Sequence, residues 1–314
     1  MKLVRTEDAV GQVLCHDITQ IIPGVVKDAV FRKGHIVTKE DIPVLLSVGK
    51  ENLYIWEKQE GMLHENEAAE ILRQICQGEH MHPSEVKEGK IELIADCEGV
   101  LKINTEKLNA VNNLGEMMIA SRHGNFPVKT GDKIAGTRII PLVIEEEKMQ
   151  KACEVAGKEP IFRILPYQKK KAGIVTTGSE VYYHRIEDKF TPVVIEKLKE
   201  CGVTEVKQIQ CNDDHEMIME AIQTLIEDGS DLIVCTGGMS VDPDDRTPLA
   251  IKNACTEVVT YGAPVLPGAM FMLAYCEKEG RQIPVMGLPG CVMYAKRTIF
   301  DLVLPRIMCD EKLH

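Results

Sequence analysis

Asp231-Leu-Ile-Val-Cys-Thr236-Gly-Gly-Met-Ser240-Val-Asp-Pro-Asp-Asp245 decides how this 314-residue chain is read. Leu232 to Cys235 is a short apolar run of the kind that forms a fully buried strand. It breaks at Thr236-Gly237-Gly238, where backbone without Cβ atoms turns sharply and can approach a ligand closely. Three carboxylates follow, Asp242, Asp244 and Asp245. Strand, glycine turn and acids in that order place polar groups at the carboxyl end of a sheet strand, where open α/β sheets bind ligands. An ordinary strand-to-loop turn with solvated aspartates would read the same way.

The segments around it repeat the alternation. Lys171 to Thr177 reads as a strand closed by Gly178-Ser179-Glu180. Thr191-Pro192 has the pattern of a cap followed by proline at the start of a helix, which Gly202 closes. Val203 to Cys211 is a second strand. Asn212-Asp213-Asp214 caps a helix whose stripe of Met217, Ile218, Ala221, Ile222, Leu225 and Ile226 suits packing on a sheet. Thr247-Pro248 starts another helix. The chain then runs through Val258–Tyr261 and the loop Pro264–Gly268 to a strand at Ile283–Gly287, and a last helix follows from about Cys291 to Pro305. Strands alternating with helices predict an α/β fold, a three-layer α/β/α domain on a mostly parallel sheet.

That regular domain is expected over 167–314. A β-rich α+β region precedes it, divided into a β-rich domain over 1–60 and a mixed region over 61–166. In the first, Asp41–Gly49 reads as a short helix and Leu53–Trp56 as a strand. In the second, a helix spans Glu65–Cys76, and strands Ile91–Ala95 and Gly99–Ile103 are joined by a tight turn. Helical spacing continues from Thr105 to Ala120, and Lys129–Ile140 resembles a hairpin turning at Gly131-Asp132. His80 and His82 lack an acid or thiol at ligand spacing and read as a solvated loop.

Composition narrows the function. A net charge of −11 argues against a nucleic-acid binder, which needs a cationic stripe. The amino terminus lacks a signal-peptide core and no apolar run reaches transmembrane length, so no membrane partner is expected. Eleven scattered cysteines without a Cys-x-x-Cys pair suit a reducing cytoplasm, with thiols serving as small apolar residues.

Four predicted strand ends converge on one sheet edge: Thr176–Glu180, Asn212–Asp214, Thr236–Ser240 and Gly287–Gly290. Their amides and hydroxyls suit a phosphate or a polar ring. The aspartates would repel a bare phosphate but make sense around Mg²⁺, with Asp242 and Asp245 as metal ligands. Helix capping alone is the plainer role for some of them. No Gly-x-Gly-x-x-Gly or Walker lysine marks a generic nucleotide fold, and Ser179 and Ser240 sit in no nucleophile elbow.

The ordered set Thr177-Gly178-x-Glu180, Asp213-Asp214, Gly237-Gly238-x-Ser240-Val241-x-x-x-Asp245, Pro267-Gly268 and Gly287-Leu288-Pro289-Gly290 resembles the molybdopterin-binding domain of molybdenum-cofactor biosynthesis. It is closest to the molybdopterin molybdenumtransferases and more distantly similar to the adenylyltransferases. The resemblance covers roughly 169–310 and implies molybdopterin or its adenylylated form as ligand. It further implies Mg²⁺-assisted molybdate insertion with Asp214 and Asp245 as catalytic acids. Thr177, Gly178, Ser179, Glu180, Gly237, Gly238, Ser240, Pro267, Gly268, Pro289 and Gly290 would shape the pocket. A homo-oligomer is implied by the same analogy.

Three departures separate this chain from the transferases. Their Ser-Val-Gly is Ser240-Val241-Asp242 here, their Pro-Gly-Lys-Pro is Pro267-Gly268-Ala269-Met270, and their Leu-Pro-Gly-Asn-Pro is Leu288-Pro289-Gly290-Cys291-Val292. A phosphate-matching cation is lost. Two functions follow: a molybdenumtransferase-like enzyme, or a non-catalytic carrier or sensor of the cofactor serving a molybdoenzyme.

Overall fold

The computed structural model describes residues 2–22, 26–55 and 60–314. These form two compact units. Unit 1 comprises 1–96, 103–122 and 130–163, and unit 2 comprises 97–102, 123–129 and 164–314.

Unit 2 holds a six-stranded sheet. Its strands are β1 (Lys171–Thr176), β2 (Glu205–Gln210), β3 (Leu232–Thr236), β4 (Glu257–Tyr261), β5 (Met272–Lys278) and β6 (Arg281–Leu288), in the order β2-β1-β3-β6-β5-β4. β2, β1, β3 and β6 run parallel, while β5 is antiparallel to both β6 and β4. The helices are α1 (Phe190–Glu200), α2 (His215–Glu227), α3 (Thr247–Ala254) and α4 (Ile299–Met308).

Successive strand residues point to opposite faces, and the core divides accordingly. Ile174, Leu232 and Val234 pack with Val194 and Leu198 of α1 and Phe300 and Leu304 of α4. Their neighbours Val175, Ile233 and Cys235 pack with Ile218 and Ile222 of α2 and Ile251 of α3. β3 is buried along its whole length, which is why its sequence is a continuous apolar run rather than an alternating one. The fold is the expected three-layer α/β/α domain.

Four local readings need correction. β5 sits where the sequence reading placed no strand. It joins β6 through Glu279-Gly280, both at positive φ, which closes a two-residue hairpin. Asp188, not Thr191, caps α1, its Oδ1 accepting from the amides of Phe190 and Thr191 at 3.0 Å each. Thr247 caps nothing through its side chain, because its hydroxyl turns inward toward Thr177. The last helix begins at Ile299 rather than Cys291, since Thr298 and Asp301 form a capping box there. It then continues through Pro305.

In unit 1, Met81–Pro83, Ile91–Ala95, Lys133–Ile139 and Met117–Ser121 make a four-stranded antiparallel sheet beside the helix Glu65–Cys76. A small core of Leu14, Ile18, Val37, Leu45 and Leu53 lies in its first third. The helix Asp41–Ser47 and the strand Asn52–Ile55 match the sequence reading. Trp56, placed in that strand from sequence, lies outside the described residues. The expected hairpins do not form: Ile91–Ala95 and Gly99–Ile103 belong to different sheets, as do the strands flanking Gly131-Asp132. The helix from Thr105 stops at Asn112, where Gly115 and Glu116 at positive φ turn the chain into a strand.

Candidate functional site

A pocket of about 460 Å³ opens at the carboxyl ends of β3 and β6. Its floor is backbone. Gly237 and Gly238 have φ of +88° and +55°, and a Cβ on Gly237 would stand 2.4 Å from the Thr177 carbonyl oxygen. Only glycine lets the chain turn there while touching the β1 strand end. Pro289 and Gly290 form the opposite lip.

The acid loop closes back on this floor. Asp245 Oδ2 accepts the Ser240 amide at 2.9 Å, and the Asp245 amide donates to the Asp242 carbonyl at 3.0 Å. The Tyr261 hydroxyl reaches the Met239 carbonyl at 3.2 Å from β4. Burial first, and then the Asp245 charge, raises the Tyr261 phenol above its usual pKa. Beneath the turn, Thr177 Oγ1 lies 3.1 Å from both the Thr236 carbonyl and the Thr247 hydroxyl, joining the ends of β1 and β3 to the start of α3. Thr236 Oγ1 is buried and has no partner among the described residues.

Of the residues singled out from sequence, Gly237, Gly238, Ser240, Asp245, Pro289 and Gly290 line this pocket together. The others lie elsewhere in the same edge. Thr177 is buried beneath the turn, and Gly178 begins the single helical turn Ser179–Tyr182. The Ser179 amide donates to Asp213 Oδ2 at 2.8 Å, while Glu180 is exposed. Asp214 caps α2, accepting the Met217 amide at 3.0 Å, and is exposed. Asp242 is exposed outside the pocket. Gly268 is packed against Ile299, and the Pro267 carbonyl accepts the Ile299 amide at 3.3 Å.

The pocket walls come from residues that sequence reasoning passed over: Phe190, Met239, Met270, Met293 and Tyr294. Each stands within a few residues of a marked turn or at the first position of a helix facing the strand ends. An aromatic or methionine beside a glycine turn was the available signal. Among the described residues, no lysine, arginine or histidine lines the pocket, and Asp245 is its one charged lining residue.

Fold and site together define a three-layer α/β domain with a pocket at the carboxyl edge of its parallel strands. Residues 173–308 match the model of a family described as "Probable molybdopterin binding domain". Residues 3–57 match a second family, described as a domain of unknown function. A CinA-like protein of Mycobacterium sp. (strain MCS) is 35% identical over 85 residues, 27% of this chain and 20% of that relative. The chain therefore spans about a fifth of the length of the curated relatives it matches. Among solved structures, the tungsten cofactor synthesizing protein MoaB from Pyrococcus furiosus is similar over 40% of this chain and 84% of its own, at 22% identity and a TM-score of 0.35. The molybdopterin biosynthesis enzyme MoaB from Thermus thermophilus is similar over 46% and 99%, at 19% identity and a TM-score of 0.36.

Proposed function

We propose that the pocket above β3 and β6 binds molybdopterin and that the protein carries or senses this cofactor without turning it over. The carrying observation is the pocket's chemistry. Aromatic and methionine walls suit a flat heterocycle, and the amides of the glycine turn suit a phosphate. Among the described lining residues no cation stands ready to stabilise charge on a leaving phosphate. Bulk charge of −11 is no obstacle, because backbone amides act locally.

The retained acid favours a second reading, the molybdenumtransferase-like enzyme. Mg²⁺ needs one or two carboxylates plus substrate phosphates. The donor set fits a shared ion only: no group of three His, Cys, Asp or Glu at metal spacing occurs among the described residues. Asp245 would offer Oδ1, since Oδ2 holds the Ser240 amide. Asp242 and Asp214, both exposed and outside the pocket, are expected to contribute through the loop and the α2 cap rather than by direct contact.

A cytoplasmic location accords with this function, and no helix among the described residues is long and apolar enough to cross a membrane. A molybdoenzyme client and a homo-oligomeric state belong to the same proposal. The test mixes purified protein with adenylylated molybdopterin, Mg²⁺ and molybdate, and follows AMP. Micromolar or tighter pterin binding without AMP release is expected. Molybdate-dependent AMP release would replace the carrier with the transferase, and absence of any binding would overturn both.

A further inference from the structure

Cys255 and Cys276 lie with their sulfurs 2.6 Å apart. Cys255 ends α3 and Cys276 lies in β5. The pairing of β4 with β5 sets them together: Glu257 faces Tyr275, and the Thr256 amide donates to the Tyr275 carbonyl at 3.0 Å. Both side chains are thus fixed by backbone on either side of one ladder position. Cys276 is buried, and Cys255, at the carboxyl end of the helix, is partly buried against the same core cluster. Their contact polarises the pair. Either sulfur can donate in this contact, which raises Cys255 and lowers Cys276 from the ordinary thiol value. An acidified thiol beside a second thiol is the arrangement that oxidises selectively.

We propose that Cys255 and Cys276 are a redox-active dithiol that a small hydroperoxide converts to a disulfide, clamping the end of α3 to β5. The Cys276 thiolate attacks a peroxide oxygen and the O–O bond breaks. A sulfenic acid forms, and hydroxide leaves and takes up a proton. Cys255 sulfur then attacks the sulfenic sulfur, giving its own proton to the departing hydroxyl, which leaves as water. Two thiols and one hydrogen peroxide yield one disulfide and two waters. The inference is independent of what the pocket binds. It does reach the pocket, because α3 begins at Thr247, whose hydroxyl supports Thr177 under the glycine turn.

The full chain, reduced and freed of reductant, is treated with stoichiometric hydrogen peroxide and mapped by mass spectrometry. Cys153, exposed in unit 1, is the internal reference for peroxide reactivity. The expected product is a cross-linked peptide joining Cys255 to Cys276, reversed by a phosphine reductant and formed before Cys153 is modified. The same treatment is expected to raise the melting temperature of the wild type by several degrees and to leave Cys255→Ser unchanged. Should Cys255→Ser fail to fold, Cys276→Ala with its own unmodified Cys255 serves as the comparison. Oxidation of Cys153 while the pair stays as thiols, or a cross-link between other cysteines, overturns the proposal.

Discussion

The Asp245 carboxylate is bound to the backbone of its own loop: Oδ2 accepts the Ser240 amide at 2.9 Å and so folds the acidic segment over the glycine turn. One side chain therefore shapes the pocket and supplies its charge. Asparagine can keep the acceptor while removing the charge. Asp245→Asn is expected to hold the melting temperature within about 2 °C and to lower pterin affinity by less than about tenfold, or 1.4 kcal/mol. Asp245→Ala frees the Ser240 amide and is expected to lower affinity by more than about tenfold. Titration of pterin fluorescence against both variants separates shape from charge. Equal affinity of Asp245→Ala and wild type would remove Asp245 from the site.

Two glycines of the pocket make opposite predictions. At Gly237 a Cβ would meet the Thr177 carbonyl oxygen at 2.4 Å, on backbone at φ +88°. The oxygen is main chain and the Cβ position is fixed by the backbone, so neither can move aside cheaply. Gly237→Ala is expected to cost about 2–4 kcal/mol in urea unfolding. At Gly290 nothing lies within 4 Å and φ is not in the left-handed region. Gly290→Ala should stay within about 0.5 kcal/mol of wild type. Reversal of that order would mean that the turn is not built as described.

Much of this layout was legible because unit 2 is regular. A fully apolar Leu232–Cys235 has to be an interior strand, and the stripe on α2 has to face a sheet. β5 escaped notice because its turn, Glu279-Gly280, needs an unusual positive φ on glutamate, so no hairpin signal marked it off from β6. The site was half legible for a similar reason. Glycine turns announce themselves, whereas Phe190, Met270 and Tyr294 enter the pocket only after α1 and the β4–β5 loop are placed. Asp213 and Asp214 show the limit most directly. The sequence offers two adjacent acids, and only the backbone decides that Asp214 caps α2 while Asp213 reaches the Ser179 amide.

Glu311 is where pH enters the stability of unit 2. Arg306 Nε stands 3.0 Å from its Oε2 and Lys102 Nζ 2.9 Å from its Oε1, and the carboxyl is held down to about 2, chiefly by Arg306. A depressed carboxylate stabilises the fold above its unfolded pKa, near 4.3, and that stabilisation is lost as pH falls toward 2. The side chain is one-fifth exposed, so a contribution on the order of 2 kcal/mol is expected. Glu311→Gln should lose about that much at pH 7 and show a flatter stability profile between pH 4.5 and 2. Chemical unfolding at pH 7 and at about pH 3 checks both. Parallel profiles for the variant and wild type would show that the ion pairs carry no net weight.

The buried hydroxyl contact beneath the glycine turn offers the most direct link between stability and binding. Thr177 and Thr247 are both buried, with oxygens 3.1 Å apart, and Thr247 Oγ1 would lie 2.7 Å from a Cβ on Gly238. The first turn of α3 is thereby held against the pocket floor. Thr247→Val keeps the shape but leaves the Thr177 hydroxyl with only the Thr236 carbonyl. A loss of about 1–2 kcal/mol in urea unfolding is expected. Pterin affinity should fall with it, because the floor is no longer tied to α3. Thr247→Ser restores the hydroxyl and should recover affinity even though it loses a methyl group's packing. If serine weakens binding and valine does not, the methyl contact rather than the hydrogen bond supports the turn.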